Sequence, residues 1–311
     1  MMTLLYASLY TGALVFLAGC TWRVVRYARM PLHLRWELYP VPHEDSHRVE
    51  HGGSYFEEAD WWKKRRHYNL SGELSFMVPE MVFLKGLREF NPKLWNRSFP
   101  FHSGLYLVAG SGALLGFASL LSLVWPHVLA GGLGTSLHLL YKFASLAGSS
   151  LIILGCFGLL LRRSTDEELR NHTVPGDIFN LLFFFVTFST LLAGYLFRGS
   201  SFPGMLALAR GLLSVHLVPA VSGMFQAGLL LLAALVAYIP YTHMSHFIAK
   251  YFTYHSVRWD DASIRHKPKI AQQMAEYLTY RPTWSAAHIA GNGRKTWAEI
   301  AAENPAQEKK S

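Results

Sequence analysis

Five stretches of about 20 mostly apolar residues dominate this chain, at roughly 3–22, 101–125, 137–161, 178–197 and 221–247. Each is long enough to cross the hydrocarbon core of a bilayer as a helix. Backbone N–H and C=O groups find no water there, so lipid-exposed spans of this kind are helices. The expected fold is all-α, an integral membrane five-helix bundle. Composition agrees. The 311 residues are 51% hydrophobic and 16% charged, with a mean hydropathy of +0.18. That is too apolar for an ordinary soluble domain and too polar for spans alone. The organisation expected is a membrane domain over 1–250, carrying an insert at 23–99, followed by a tail over 251–311.

The net charge of +9 would point to nucleic acid in a soluble protein. Here it reports topology, because Lys and Arg accumulate on the cytoplasmic side of membrane proteins. Residues 23–99 carry 13 of them, 162–177 carry 3 and the tail from Ile248 carries 10. The loops 126–136 and 198–220 carry only Arg198 and Arg210. Every span then obeys one orientation, with the N-terminus outside and the C-terminus cytoplasmic. The one remaining cation, Lys142, lies in the third span. "LAGC" at Leu17–Cys20 resembles a lipoprotein cleavage box, but no Lys or Arg precedes the apolar run and "RVVRYAR" follows it, which suits an anchored helix.

The insert and the tail are rich in aromatic residues. "GGSYFEEADWWKKRRH" and "MVPEMVFLKGLREFNPKLW" suit an interfacial, partly helical collar with Trp61, Trp62 and Trp95 at headgroup level, and equally a docking surface for a cytoplasmic partner. "YHSVRWDD" reads as ordered and "ENPAQEKKS" as a frayed end. Cys20 and Cys156 lie in separate apolar runs, so no thiolate metal site is readable. No internal repeat and no mid-span carboxylate supports a proton-coupled transporter.

Fifteen histidines is a high count, and ionisable groups inside spans are usually functional. His102 opens the second span and His246 closes the fifth, at matching depth on the cytoplasmic side. Two imidazoles from different helices are what bis-histidine haem ligation needs. Interfacial histidines hydrogen-bonded to water are the plain alternative. Arg97 and Lys250 stand near enough in sequence to meet haem propionates. His243 precedes His246 by one turn and is an equal candidate on position alone. His138 and His216 match in depth on the outer side, as ligands of a second haem or as quinone-pocket or structural residues. His216 and His246 are 30 residues apart, which leaves 120° after whole helical turns, so they share no face of one helix. Lys142, one turn after His138, could donate with it to quinone carbonyls or simply reach the outer interface.

"FHSGLYL" opening the second helix, "GLLLRRSTDEELRNHTVPGD" joining the third and fourth, and "IPYTHMSHF" closing the fifth resemble the gamma-subunit family of respiratory nitrate reductase. The likeness spans all five helices. It is nearest to the branch found in transmembrane redox complexes of sulfate reducers, beside a heterodisulfide-reductase-like iron–sulfur subunit. The resemblance implies a di-haem cytochrome b in the bacterial inner membrane that exchanges electrons with (mena)quinone. It implies a cytoplasmic iron–sulfur partner and a periplasmic multihaem cytochrome c, and no nucleic acid. Carried over, His102 and His246 match the ligands of the cytoplasmic-side haem b. His246 is favoured over His243 by its spacing of six residues from Pro240.

The second pair of family histidines falls on Gly112 and Gly228, which cannot bind iron. So one haem is expected, with a second only if His138 and His216 replace the missing ligands. In the family the start of the third helix lies beside the quinone site, so His138 could serve a quinone instead. Such a chain is an electron-transfer subunit of an oxidoreductase complex. The rival expectation, from another class, is a membrane anchor that docks soluble subunits and carries no haem.

Overall fold

The computed structural model describes residues 2–30, 47, 59–60, 63–64, 69–125, 127–198, 202–218, 221–252, 268–284 and 291–303. Trp61, Trp62, Pro219 and the "YHSVRWDD" segment lie outside the described residues. All regular structure among the described residues is helical. Five helices are long and apolar enough to cross a membrane: Met2–Ala28 (α1), Pro92–Val124 (α4), Gly132–Thr165 (α5), Pro175–Arg198 (α7) and the helix begun by Gly223–Tyr238 (α9). This is a multi-pass helical membrane protein. Leu70–Val82 (α2) and Lys85–Phe90 (α3) precede α4, Glu167–His172 (α6) links α5 to α7, and Phe202–Ser214 (α8) is a shorter apolar helix. After α9 come two 3₁₀ turns, Ile239–Tyr241 and His243–Ser245, then His246–Phe252 (α10), Pro268–Leu278 (α11) and Trp297–Ala301 (α12).

The chain divides into two compact units. One comprises residues 1–23 and 74–246, the other 24–73 and 247–311. The first holds the bundle. Its helices begin where the sequence supplies caps. Asn91 accepts the Leu94 N–H at 3.0 Å with Pro92 next to it, and Ser222 accepts the Phe225 N–H. Without a hydrophobic drive between helices in lipid, small residues let backbones approach and dispersion holds them. The α4–α5 seam is built this way. A Cβ on Gly104 would lie 2.6 Å from the Gly148 carbonyl oxygen and 2.7 Å from the Ile152 nitrogen. Helix α1 meets the end of α9 similarly, with Gly19 against the Pro240 ring. The seams close over a core of Leu5, Phe101, Ile152, Phe184, Phe188 and Leu235.

Part of the expected collar belongs to this unit and is helical. The Trp95 indole donates to the Phe83 carbonyl at 2.8 Å, and the Tyr106 hydroxyl donates to the Met81 carbonyl at 2.7 Å. These bonds hold α2 and α3 beside the first half of α4. Trp95 also stacks on Phe99, 4.6 Å between ring centres, and Arg88 lies over its face. In the second unit, Tyr27 packs on Phe252, and α12 opens with a capping box between Thr296 and Glu299.

Candidate functional site

Helix α9 ends where Pro240 removes a backbone donor. Two 3₁₀ turns follow, and the carbonyls they leave are taken up locally and from α1. Thr242 donates its hydroxyl to the Ile239 carbonyl at 3.0 Å and accepts the Met244 N–H at 3.2 Å. The Arg23 guanidinium donates to the Pro240 carbonyl and, at 3.3 Å, to that of Thr242. This re-aimed segment turns its two histidines in different directions. His246 faces His102 on α4. His243 has its Nε2 3.9 Å from Asp177 Oδ1 on α7, where Asp177 is also held by Arg163 at 3.1 Å.

The His102 and His246 rings are 6.1 Å apart between centres, with planes crossed at 68°. Each ring is oriented by backbone just before it, His102 by its own helix and His246 by the preceding 3₁₀ turn. His102 Nδ1 donates to the Ser98 carbonyl at 2.8 Å and lies 3.3 Å from the Ser98 hydroxyl. His246 Nδ1 donates to the His243 carbonyl at 3.2 Å. A proton on Nδ1 leaves the lone pair of a neutral imidazole on Nε2, and a carbonyl behind a histidine is the usual support of a metal ligand. The separation would allow both imidazoles to reach one metal. A metal–imidazole bond is about 2 Å and the ring centre lies about 1 Å further back, which puts two such centres about 6 Å apart. Phe101 meets the edge of the His102 ring at 5.4 Å and so restricts its rotation. Arg97, five residues before His102, donates to the Lys93 carbonyl. Lys250 follows His246 by one turn on α10.

The other candidate residues are placed separately. His138 stacks on Phe202 of α8 at 4.9 Å with planes only 13° apart. His216 is exposed after the end of α8, its Nδ1 donating to the Ser214 carbonyl at 3.0 Å and its carbonyl accepting from Tyr6. No ring contact joins His138 to His216 among the described residues. Lys142 is exposed on α5. At the positions where the family resemblance calls for further histidines, Gly228 is packed on Leu191, while a Cβ on Gly112 would meet nothing within 4 Å.

Sequence reasoning missed two features here. Helix α7 starts at Pro175, three residues earlier than its apolar run, and so carries Asp177 in its first turn. The partnership of Asp177 with Arg163 and His243 depends on how α5, α7 and the turn after α9 meet, which no local pattern encodes. The second feature is a cavity of about 230 Å³ beside Gly112, lined from α4, α5, α7, α8 and α9. Among the described residues, no group of three or more His, Cys, Asp and Glu side chains could hold a metal ion. Comparison with known proteins finds no matching family model and no matching curated protein.

Proposed function

We propose that this chain is the membrane b-type cytochrome subunit of a respiratory redox complex, holding haem b between His102 and His246. The observation that carries the reading is the pair itself: two imidazoles from different helices, 6.1 Å apart, each with Nδ1 committed to a backbone carbonyl. Two imidazoles alone are an incomplete ligand set for a bare ion, whereas His102 and His246 would together hold a haem iron. When bound, the haem supplies one-electron redox chemistry. The protein sets the rest: Ser98 and the His243 carbonyl fix the tautomers, Phe101 limits the ring, and Arg23 holds the turn that presents His246.

In this reading the His102–His246 end of the bundle is cytoplasmic, and the chain passes electrons between the (mena)quinone pool and iron–sulfur or cytochrome c partners in a bacterial inner membrane. The collar helices α2 and α3 flank the same end and suit a docking role. A reduced-minus-oxidised visible spectrum of the purified chain tests it. A b-type band is expected, lost in both His102→Ala and His246→Ala. A band that survives both substitutions sinks the ligand assignment, and a wild-type chain with no band is the haem-free anchor instead.

A further inference from the structure

The hollow of about 230 Å³ lies at one depth in each spanning helix that walls it. Gly112 of α4, Ser149 of α5, Phe188 of α7 and Leu232 of α9 line it, and each stands near the middle of its span. The hollow therefore sits near the bilayer midplane. Gly112 is ten residues beyond His102 on α4, about 15 Å along the helix axis. One mouth opens beside Gly112, which is exposed and where a Cβ would meet nothing within 4 Å. At this depth the mouth faces hydrocarbon, not headgroups or water. The wall is mostly apolar. Its Ser111 hydroxyl donates to the Val108 carbonyl at 2.8 Å, and the Tyr141 hydroxyl pairs with the Ser145 side chain one turn on. Among the described residues, no buried side-chain atom left without a hydrogen-bond partner belongs to the lining. A polar guest would bury its own polar groups against this wall at a cost. Left empty, the hollow forfeits dispersion contacts all around its lining. Water is a poor filler, since an apolar cavity of about 150 Å³ stays dry and takes benzene instead.

We infer that this hollow holds the methyl-end portion of a membrane phospholipid's acyl chain, threaded inward past Gly112. The chain ends of the two leaflets meet at the midplane, so they are the part of a lipid that the mouth meets. The headgroup stays at the surface of its own leaflet. Inside, the chain makes with Leu191, Phe225 and Leu229 the dispersion contacts that no side chain supplies. Entry depends on the missing side chain of Gly112, because a larger residue there would stopper the mouth. Neither His102 nor His246 lines the site, and its filling needs no haem.

The test is photo-crosslinking of the full chain in nanodiscs made from a single phosphatidylcholine, with a diazirine near the methyl end of one acyl chain. No isoprenoid lipid is present in such discs. Adducts are mapped to residues by mass spectrometry after illumination. Phe188 and Leu229 are buried, whereas Phe143, Leu154 and Phe157 on α5 are exposed and report the surrounding lipid. Adducts on Phe188 and Leu229 are expected in the wild type, beside those on the exposed residues. A diazirine placed next to the headgroup is expected to reduce the Phe188 and Leu229 adducts to background. Gly112→Leu, whose side chain enters open space rather than a packed seam, is expected to abolish them and to spare the adducts on α5. Adducts confined to the exposed residues overturn the site. So do Phe188 and Leu229 adducts that persist in Gly112→Leu, or that are as strong with the diazirine beside the headgroup. Should Gly112→Leu fail to assemble, the two diazirine positions compared in the wild type decide alone.

Discussion

Arg23 on α1 donates through its guanidinium to the carbonyl of Pro240, at the point where α9 breaks. Proline forces the break, and the cation from a distant helix settles the exposed carbonyls of Pro240 and Thr242. Hydrogen bonds from a charged donor are worth about 1.5–3 kcal/mol. Arg23 is therefore a positioning residue for His246, acting through the turn that carries it. Arg23→Ala is expected to weaken haem retention about tenfold and to broaden or shift the b-type band. Arg23→Lys restores it in part. Titration of the apoprotein with haemin measures the affinity. A variant that loses thermal stability but keeps the wild-type band and affinity would show a structural role only.

The α4–α5 seam depends on the missing side chain of Gly104. A methyl there runs into the backbone of Gly148 and Ile152, neither of which can swing aside. Gly104→Ala is expected to destabilise the bundle by about 1–3 kcal/mol, read as a lower midpoint in detergent unfolding. Gly112→Ala, on the same helix but facing open space, serves as the matched control and is expected to stay near wild type.

Asn180 is buried on α7 and accepts a hydrogen bond from the Tyr238 hydroxyl at 2.8 Å. Tyr238→Phe keeps the ring packing against Phe179 and Phe183 but leaves a buried amide oxygen without this donor. The expected cost is about 1–3 kcal/mol. Tyr238→Phe combined with Asn180→Leu removes both polar groups and is expected to recover part of that loss. Equal stability of wild type and Tyr238→Phe would contradict the assigned bond.

In the second unit, the Thr296 backbone N–H and hydroxyl hold the Glu299 carboxylate below the ordinary glutamate pKa. A depressed folded-state pKa stabilises the cap above the unfolded value, and the stabilisation is lost as pH falls through the folded one. Amide exchange at residues 297–301 is therefore expected to accelerate once the pH drops below the usual glutamate range, about 4.3. Glu299→Gln keeps the cap geometry without the charge and is expected to flatten that dependence. Identical acid profiles for both chains would contradict the linkage.

The spans were legible because about 20 apolar residues in a row leave a backbone few alternatives. His102 and His246 were legible because counting from span ends places two histidines at one depth, and Pro240 marked the break ahead of the second. The division of labour within "THMSH" was not. It depends on Asp177 drawing His243 toward α7 and on Arg23 reaching in from α1, and both are set by how distant helices meet. The insert 23–99 reads as a single collar in sequence, yet residues 74–99 join the bundle through Trp95 and Tyr106, bonds that exist only once α2 has folded back beside α4. The cavity was invisible for a similar reason. Gly112 alone predicts a lost ligand, while the hollow around it is shaped by side chains from five helices.

The haem count per chain tests the central claim most directly. Purified chain is assayed for extractable haem b against protein, in wild type, His102→Ala, His246→Ala and His243→Ala. One haem per chain is expected in the wild type and in His243→Ala, with near-complete loss in the other two. A wild type without haem, or a His246→Ala chain that keeps it while His243→Ala loses it, would contradict the account.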